Sequence, residues 1–301
     1  MRPAGPDEAG AARSGICHLD ADRGVLAYRG HDIHDLADRS SFEETCYLLW
    51  HGRLPNRAEL GDLQSQFVAA RPLPEGILRL MRSLPSAAGL DALQTTASAL
   101  AAYDPDAGGR SSAERLRASV RLTAQLAGVV AASGRLNAGR SPIAPDPALG
   151  HAANFLYMLT GERPHAPAAR GLDVSLVLHA EHGFDASTVA ARATAATETD
   201  VYSAITSAIG TLKGPLHGSA AADVMRLLLE IGPEANGLRI MEMIGAGPAR
   251  GDGIHGFGRG VYRVEDPRTA HLRRLSRDLG QRAGSPPWFQ ALQRVEALMK
   301  T

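Results

Sequence analysis

A helix-start signal, recurring ahead of amphipathic runs, constrains this chain more than any other feature. Ser41 and Glu44 in SFEETCYLLW, Asn56 and Glu59 in NRAELGDL, and Ser111 and Glu114 in SSAERLRASV each set a capping side chain three residues before a glutamate. In such a box the first side chain accepts from a backbone N–H of the first turn and the glutamate returns the bond. Two donors that a helix N-terminus leaves unpaired are thereby satisfied together. Period-2 alternation is confined to the start of the chain, and no internal repeat is found, so the expected fold class is all-α.

Residues 1–14 read as a flexible tail. GICHLDADRGVLAYRG then offers two short apolar runs around the turn-like DADRG, which predicts a small N-terminal β-hairpin. DPALGHAANFLYMLTG and GLDVSLVLHAEHG predict two helices, the first closed and the second opened by glycine. DASTVAARATAATETDVYSAITSAIGTLKG is rich in small residues that let helices approach closely. Ser219 is placed to cap AAADVMRLLLEIG, Asp266 with Pro267 to open RTAHLRRLSRDLG, and Ser285 with Pro286 to open the last helix. KGPLHG, residues 213–218, breaks the run of helices and reads as a hinge. The expected division is a tail at 1–14, a large helical domain at 15–217 and a small helical domain at 218–301.

A chain of 301 residues can bury a large core. Its formal net charge of +0 argues against a general nucleic-acid or membrane-surface binder. Two cysteines, Cys17 and Cys46, supply neither a disulfide framework nor a zinc site, and read as reduced thiols of a cytoplasmic protein. No signal peptide and no apolar run of membrane length is recognised, so a soluble, cytosolic protein is expected.

Gly251, Gly253 and Gly256 match the spacing G-x-G-x-x-G. Here a helical and then irregular stretch precedes them where a dinucleotide site needs a strand, and with 32 glycines chance matches are expected. His179 and His182 in HAEHG are three apart, but without a third ligand they read as a hydrogen-bonded pair at a helix end, and no metal is expected. His217 in GPLHG sits where glycines crowd backbone toward a cavity, and a histidine there can give or take a proton near pH 7. From Arg259 to Arg282 run seven arginines against Glu265, Asp266 and Asp278. This is either a solvated helix face or an anion site holding carboxylates or phosphates bidentately.

Taken together, LVLHAEHGFDASTVAARATAATETDVYSAITSAIGTLKGPLHGSAAADV and GFGRGVYRVEDPR resemble the citrate synthase and 2-methylcitrate synthase family. The N-terminal GVLAYRGHDIHDLADRSSFEETCYLLWHGRLP and the middle ALAAYDPD resemble it too, in order, along nearly the whole chain after residue 14. The resemblance implies a citrate synthase-like multi-helical homodimer whose large and small domains close over the active site. It implies condensation of acetyl-CoA or propionyl-CoA with oxaloacetate, with a coenzyme A thioester as co-substrate and no bound cofactor. By this resemblance His217 matches the histidine that hydrogen-bonds the thioester oxygen as the enol forms. Arg259 stands where a second histidine polarises the ketone of oxaloacetate. His182 and Arg268 match oxaloacetate-binding positions. Gly256, Phe257 and Gly258 match the loop around the adenine of CoA, and Arg263 lies where a basic residue meets a CoA phosphate.

Departures accompany the match. AGLDALQT at 88–95 stands where the family has HPMDVLRT, so Ala88 and Gln94 replace a histidine and an arginine, and Gly260 replaces a further arginine. The family's proton-abstracting aspartate and last helices have no recognised counterpart up to Thr301, which leaves Asp185 or Glu181, or a partner chain, as sources of a base. Two functions stay open on this reading. One is a condensing acyltransferase with Arg259 as electrophile. The other is a non-catalytic paralogue that binds a dicarboxylate or CoA, or that pairs as a heteromer with a full-length homologue and regulates it.

Overall fold

The computed structural model describes residues 14–85, 89–214, 217–218, 220–234, 237–249, 261–284 and 287–299. Among them the chain forms a three-stranded sheet in the order β1-β2-β3 (Cys17–Asp20, Val25–Tyr28, His31–Asp32) and fourteen α-helices. The helices are α1 (Ile33–Arg39), α2 (Phe42–His51), α3 (Arg57–Ala70), α4 (Glu75–Ser83), α5 (Gly89–Leu100), α6 (Ser112–Asn137) and α7 (His151–Thr160). There follow α8 (Ala166–Leu178), α9 (Ala186–Ala195), α10 (Val201–Leu212), α11 (Ala220–Ile231), α12 (Gly237–Ala249), α13 (Thr269–Arg282) and α14 (Pro287–Met299). The fold is all-α with a small N-terminal sheet, as the capping pattern predicts.

All three capping boxes form, at the starts of α2, α3 and α6, with both reciprocal bonds present in each. Helix α7 is closed by Gly161 as expected. Helix α8 departs from expectation. It starts at Ala166, with the His165 side chain accepting from the Ala168 N–H and Pro167 in its first turn, so Gly171 lies buried inside the helix instead of opening it. Helix α13 begins at Thr269, after Arg268, and Asp266 accepts from the Arg268 N–H. The starts expected at Ser219 and at Ser285–Pro286, like the tail up to residue 13, lie outside the described residues.

The third strand has no alternation to announce it. Strands β2 and β3 pair antiparallel, Ala27 with Asp32 and Tyr28 with His31, and two residues close them. Arg29 and Gly30 both have positive φ, 51° and 85°, the sign a type I′ turn requires. An arginine is costly there. The cost is offset because the Arg29 N–H donates to the Ile16 carbonyl, and its guanidinium donates to the carbonyls of Gly15 and Leu49.

Two compact units divide the chain. The first comprises residues up to Leu19 together with Leu26–Leu212, and the second comprises Asp20–Val25 together with the chain from Lys213 onward. In the first unit α6 is the spine and buries two opposite faces. Ala118, Leu122, Val129 and Ala132 pack with Ile77, Met81, Leu100 and Tyr202, whereas Val120 and Ala124 pack with Cys46, Tyr47, Leu63 and Phe67. The second unit is centred on Ile231, Ile240 and Val295, from α11, α12 and α14.

Polar groups, most of them wholly or partly buried, tie the helices of the first unit. Arg121 on α6 donates to Asp104 and Asp106, Arg117 adds two bonds to Asp106, and the Tyr202 hydroxyl on α10 donates to Asp104. Elsewhere the buried Glu43 accepts from the His151 N–H, so that a side chain of α2 caps α7, whose own N-cap is glycine. Burial pushes the Glu43 carboxyl up. It pushes His151 down to about 4, assisted by the nearby Arg71, which keeps the imidazole neutral between the Phe42 and Phe67 rings.

Candidate functional site

The segment that carries His182 leaves α8 at a fixed height. Tyr28, wholly buried in β2, donates its hydroxyl to the Leu178 carbonyl at 3.1 Å and accepts from the Glu181 N–H at 3.4 Å. One phenol thus pins the last residue of α8 and the residue before His182. His179 caps α8, its Nδ1 2.7 Å from the Ser175 carbonyl, which accounts for that ring locally. His182 itself is half-buried. Burial pushes the neighbouring Glu181 carboxyl up, although the N–H groups of Gly183 and His182 pull the other way. Asp185 is committed elsewhere, because it accepts from the Thr188 N–H as the N-cap of α9. Of the two candidate bases, Glu181 alone has no helix-capping duty.

His217 belongs to the second unit. Its N–H donates to the Gly214 carbonyl at 3.0 Å and its side chain is half-buried. Arg263 and Arg268 are in the same unit. The Arg263 N–H donates to the Ala21 carbonyl at 2.9 Å, and its Nη1 lies 2.8 Å from the Asp22 carboxylate. Arg268 folds back on Asp266, donating through Nε at 3.0 Å and Nη2 at 2.7 Å, and only 18% of its side chain is exposed. The guanidinium is therefore held in one orientation before any ligand arrives. Arg259, Gly256, Phe257 and Gly258 lie outside the described residues, as do Ala88 and Gly260. Gln94 is described: its Nε2 donates to the Thr206 carbonyl at 3.3 Å and packs over Gly210, so α5 uses this side chain to grip α10.

The arginine run resolves into separate ion pairs. Arg273 bridges Glu265 and Glu296, Arg277 pairs with Asp278, and Arg274 contacts the buried His271. Much of α13 is thus a charge-balanced face, and Arg263 and Arg268, paired with Asp22 and Asp266, follow the same pattern. Among the described residues no three His, Cys, Asp or Glu side chains gather as a metal ion would require, and no helix is long and apolar enough to cross a membrane. Sequence reasoning missed Tyr28 and Asp22, whose partners lie far along the chain. The Asp266–Arg268 pair could have been read from the DPR tripeptide.

Comparison with known proteins gives a consistent result. The sequence model of the family described as citrate synthase, C-terminal domain, matches residues 5–301. The citrate synthase of Haloferax volcanii is 42% identical over 290 residues, covering 95% of this chain and 76% of that protein. A 2-methylcitrate synthase of Mycobacterium tuberculosis is 41% identical over 275 residues, covering 91% of this chain and 69% of its own length. The crystal structure of citrate synthase from Pyrobaculum aerophilum superposes with a TM-score of 0.86 at 35% identity, over 96% of this chain and 74% of that one.

Proposed function

The chain belongs to the citrate synthase family, and on that premise we propose that it condenses an acyl-CoA thioester, acetyl-CoA or propionyl-CoA, with oxaloacetate. The observation that carries this reading is the family match over residues 5–301 together with the GPLHG and DPR segments and the two histidines of HAEHG. In it, His217 donates a hydrogen bond to the thioester oxygen as the enol forms, a charge-developing position where a fixed donor lowers the barrier. His182 and Arg268 hold oxaloacetate, and Arg263 with Gly256–Gly258 holds CoA. The two compact units serve as the large and small domains, the protein acts as a cytoplasmic homodimer, and the reaction uses no metal.

Arg259 takes the place of the family's second histidine. A guanidinium is a permanent cation with several donors, so it stabilises negative charge growing on the ketone oxygen. It cannot deliver a proton at neutral pH. The same substitution favours a second reading, in which the site binds oxaloacetate or CoA without turnover and the chain regulates a complete synthase.

CoA release from acetyl-CoA or propionyl-CoA plus oxaloacetate separates the two. Under the first reading the wild type releases CoA slowly, His217→Ala loses about 10²-fold or more, and Arg259→His gains activity. No release from the wild type or from Arg259→His, combined with calorimetric binding of oxaloacetate, would instead favour binding without turnover, and co-purification with a full-length homologue would carry its regulatory form.

A further inference from the structure

The chain just beyond the glycine-rich stretch is fastened by a turn from the N-terminal end. Asp20 Oδ1 accepts from the N–H groups of Asp22 at 3.1 Å and Arg23 at 3.0 Å, which stiffens the turn between β1 and β2. The turn closes at Gly24 with φ +66°, and a Cβ there would lie 2.8 Å from Val264 Cγ2 and 3.1 Å from the Glu265 carbonyl oxygen. The turn and residues 263–265 are thus in direct contact, joined by the Arg263 N–H to Ala21 bond and the Arg263–Asp22 ion pair.

This ion pair is poorly suited to stabilising the fold. Its side chains are 80% and 66% exposed, and pairs in that setting contribute little. Its effect falls instead on the guanidinium. Asp22 occupies Nη1, which leaves the Nε and Nη2 edge as the fork for a second anion. It also sets a carboxylate beside whatever anion docks there.

We infer that Asp22 is a built-in counter-anion to Arg263, orienting the guanidinium and moderating the strength with which it holds a phosphate of CoA. The inference rests on the proposed role of Arg263 at a CoA phosphate. Its chemistry is simple: two anions sharing one cation repel, and the repulsion is screened by salt.

The test is calorimetric titration of CoA into the full chain as wild type, Asp22→Asn, Arg263→Gln and the double variant. Asp22→Asn keeps the shape and an acceptor oxygen but removes the charge. It is expected to tighten CoA binding about two- to fivefold at low ionic strength. Asp22→Glu is expected to restore the wild-type affinity, and the gain should vanish in salt of about 1 M, where the Debye length is near 3 Å. In the Arg263→Gln background Asp22→Asn should have no effect. Unchanged or weaker binding in Asp22→Asn, or an equal gain without Arg263, would overturn the inference. Arg263→Gln binding CoA as tightly as wild type would also overturn it while leaving the condensation reading intact. A wild type that binds no CoA would overturn both.

Discussion

Asp104→Asn puts the polar core of the first unit to a quantitative test. The Asp104 side chain is 3% exposed and accepts from Arg121, the Tyr202 hydroxyl and the Asp106 N–H. An asparagine keeps one acceptor oxygen and turns an amide NH₂ toward donors that already point inward. Breaking a buried pair on one side typically costs about 3–5 kcal/mol. Here Arg121 keeps Asp106 and is 24% exposed, so about 2–3 kcal/mol is expected. Burial pushes the Asp104 carboxyl up, yet the bonds from Arg121 and Tyr202 outweigh it and leave the group below its ordinary value. A depressed folded value means that the carboxylate stabilises the fold above the unfolded pKa, near 4, and loses that contribution as pH falls through the folded value. The difference between wild type and variant should therefore be flat above pH ~5 and shrink below pH ~4. Groups that share no partner with Asp104, His151 among them, are common to both proteins and cancel. Urea denaturation followed by circular dichroism, repeated across pH, measures it. A loss under about 0.5 kcal/mol, or a difference that does not diminish in acid, would refute the reasoning.

Two further substitutions probe the core and the anchor of the candidate site. Phe67→Ala removes a wholly buried ring set edge-on to Trp50 and beside His151, and should cost about 3–5 kcal/mol by the same denaturation measurement. Tyr28→Phe deletes the hydroxyl shared by Leu178 and Glu181 and should cost about 1–3 kcal/mol. Its kinetic mark should be a raised KM for oxaloacetate with an unchanged KM for acyl-CoA, because the segment it loosens carries His182.

What the sequence makes legible is local. Ser41 with Glu44, Asn56 with Glu59 and Ser111 with Glu114 announce their helices because a capping box needs only four consecutive residues, and the structure shows each box closed. Gly171 misleads because tertiary packing tolerates a glycine inside α8, while the true start is written in His165 and Pro167. The turn at Arg29–Gly30 hides because its strain is offset by carbonyls of Gly15, Ile16 and Leu49. Among the residues proposed to act, His182, His217, Arg263 and Arg268 stand out by motif. The residues that contact two of them or their segments, Tyr28 for the His182 segment and Asp22 for Arg263, act across half the chain or more and leave no pattern in the sequence.

The membership of Asp20–Val25 in the second unit bears on the order in which the molecule can be assembled. During synthesis this turn emerges early, and its partner segment around Arg263 follows roughly 240 residues later. The helices of the first unit can therefore pack while the turn waits, and docking it closes a loop spanning most of the chain, a late and entropically expensive step. A fragment that starts at Lys213 would lack this turn altogether, so the second unit is discontinuous in sequence and cannot be excised whole with a single cut.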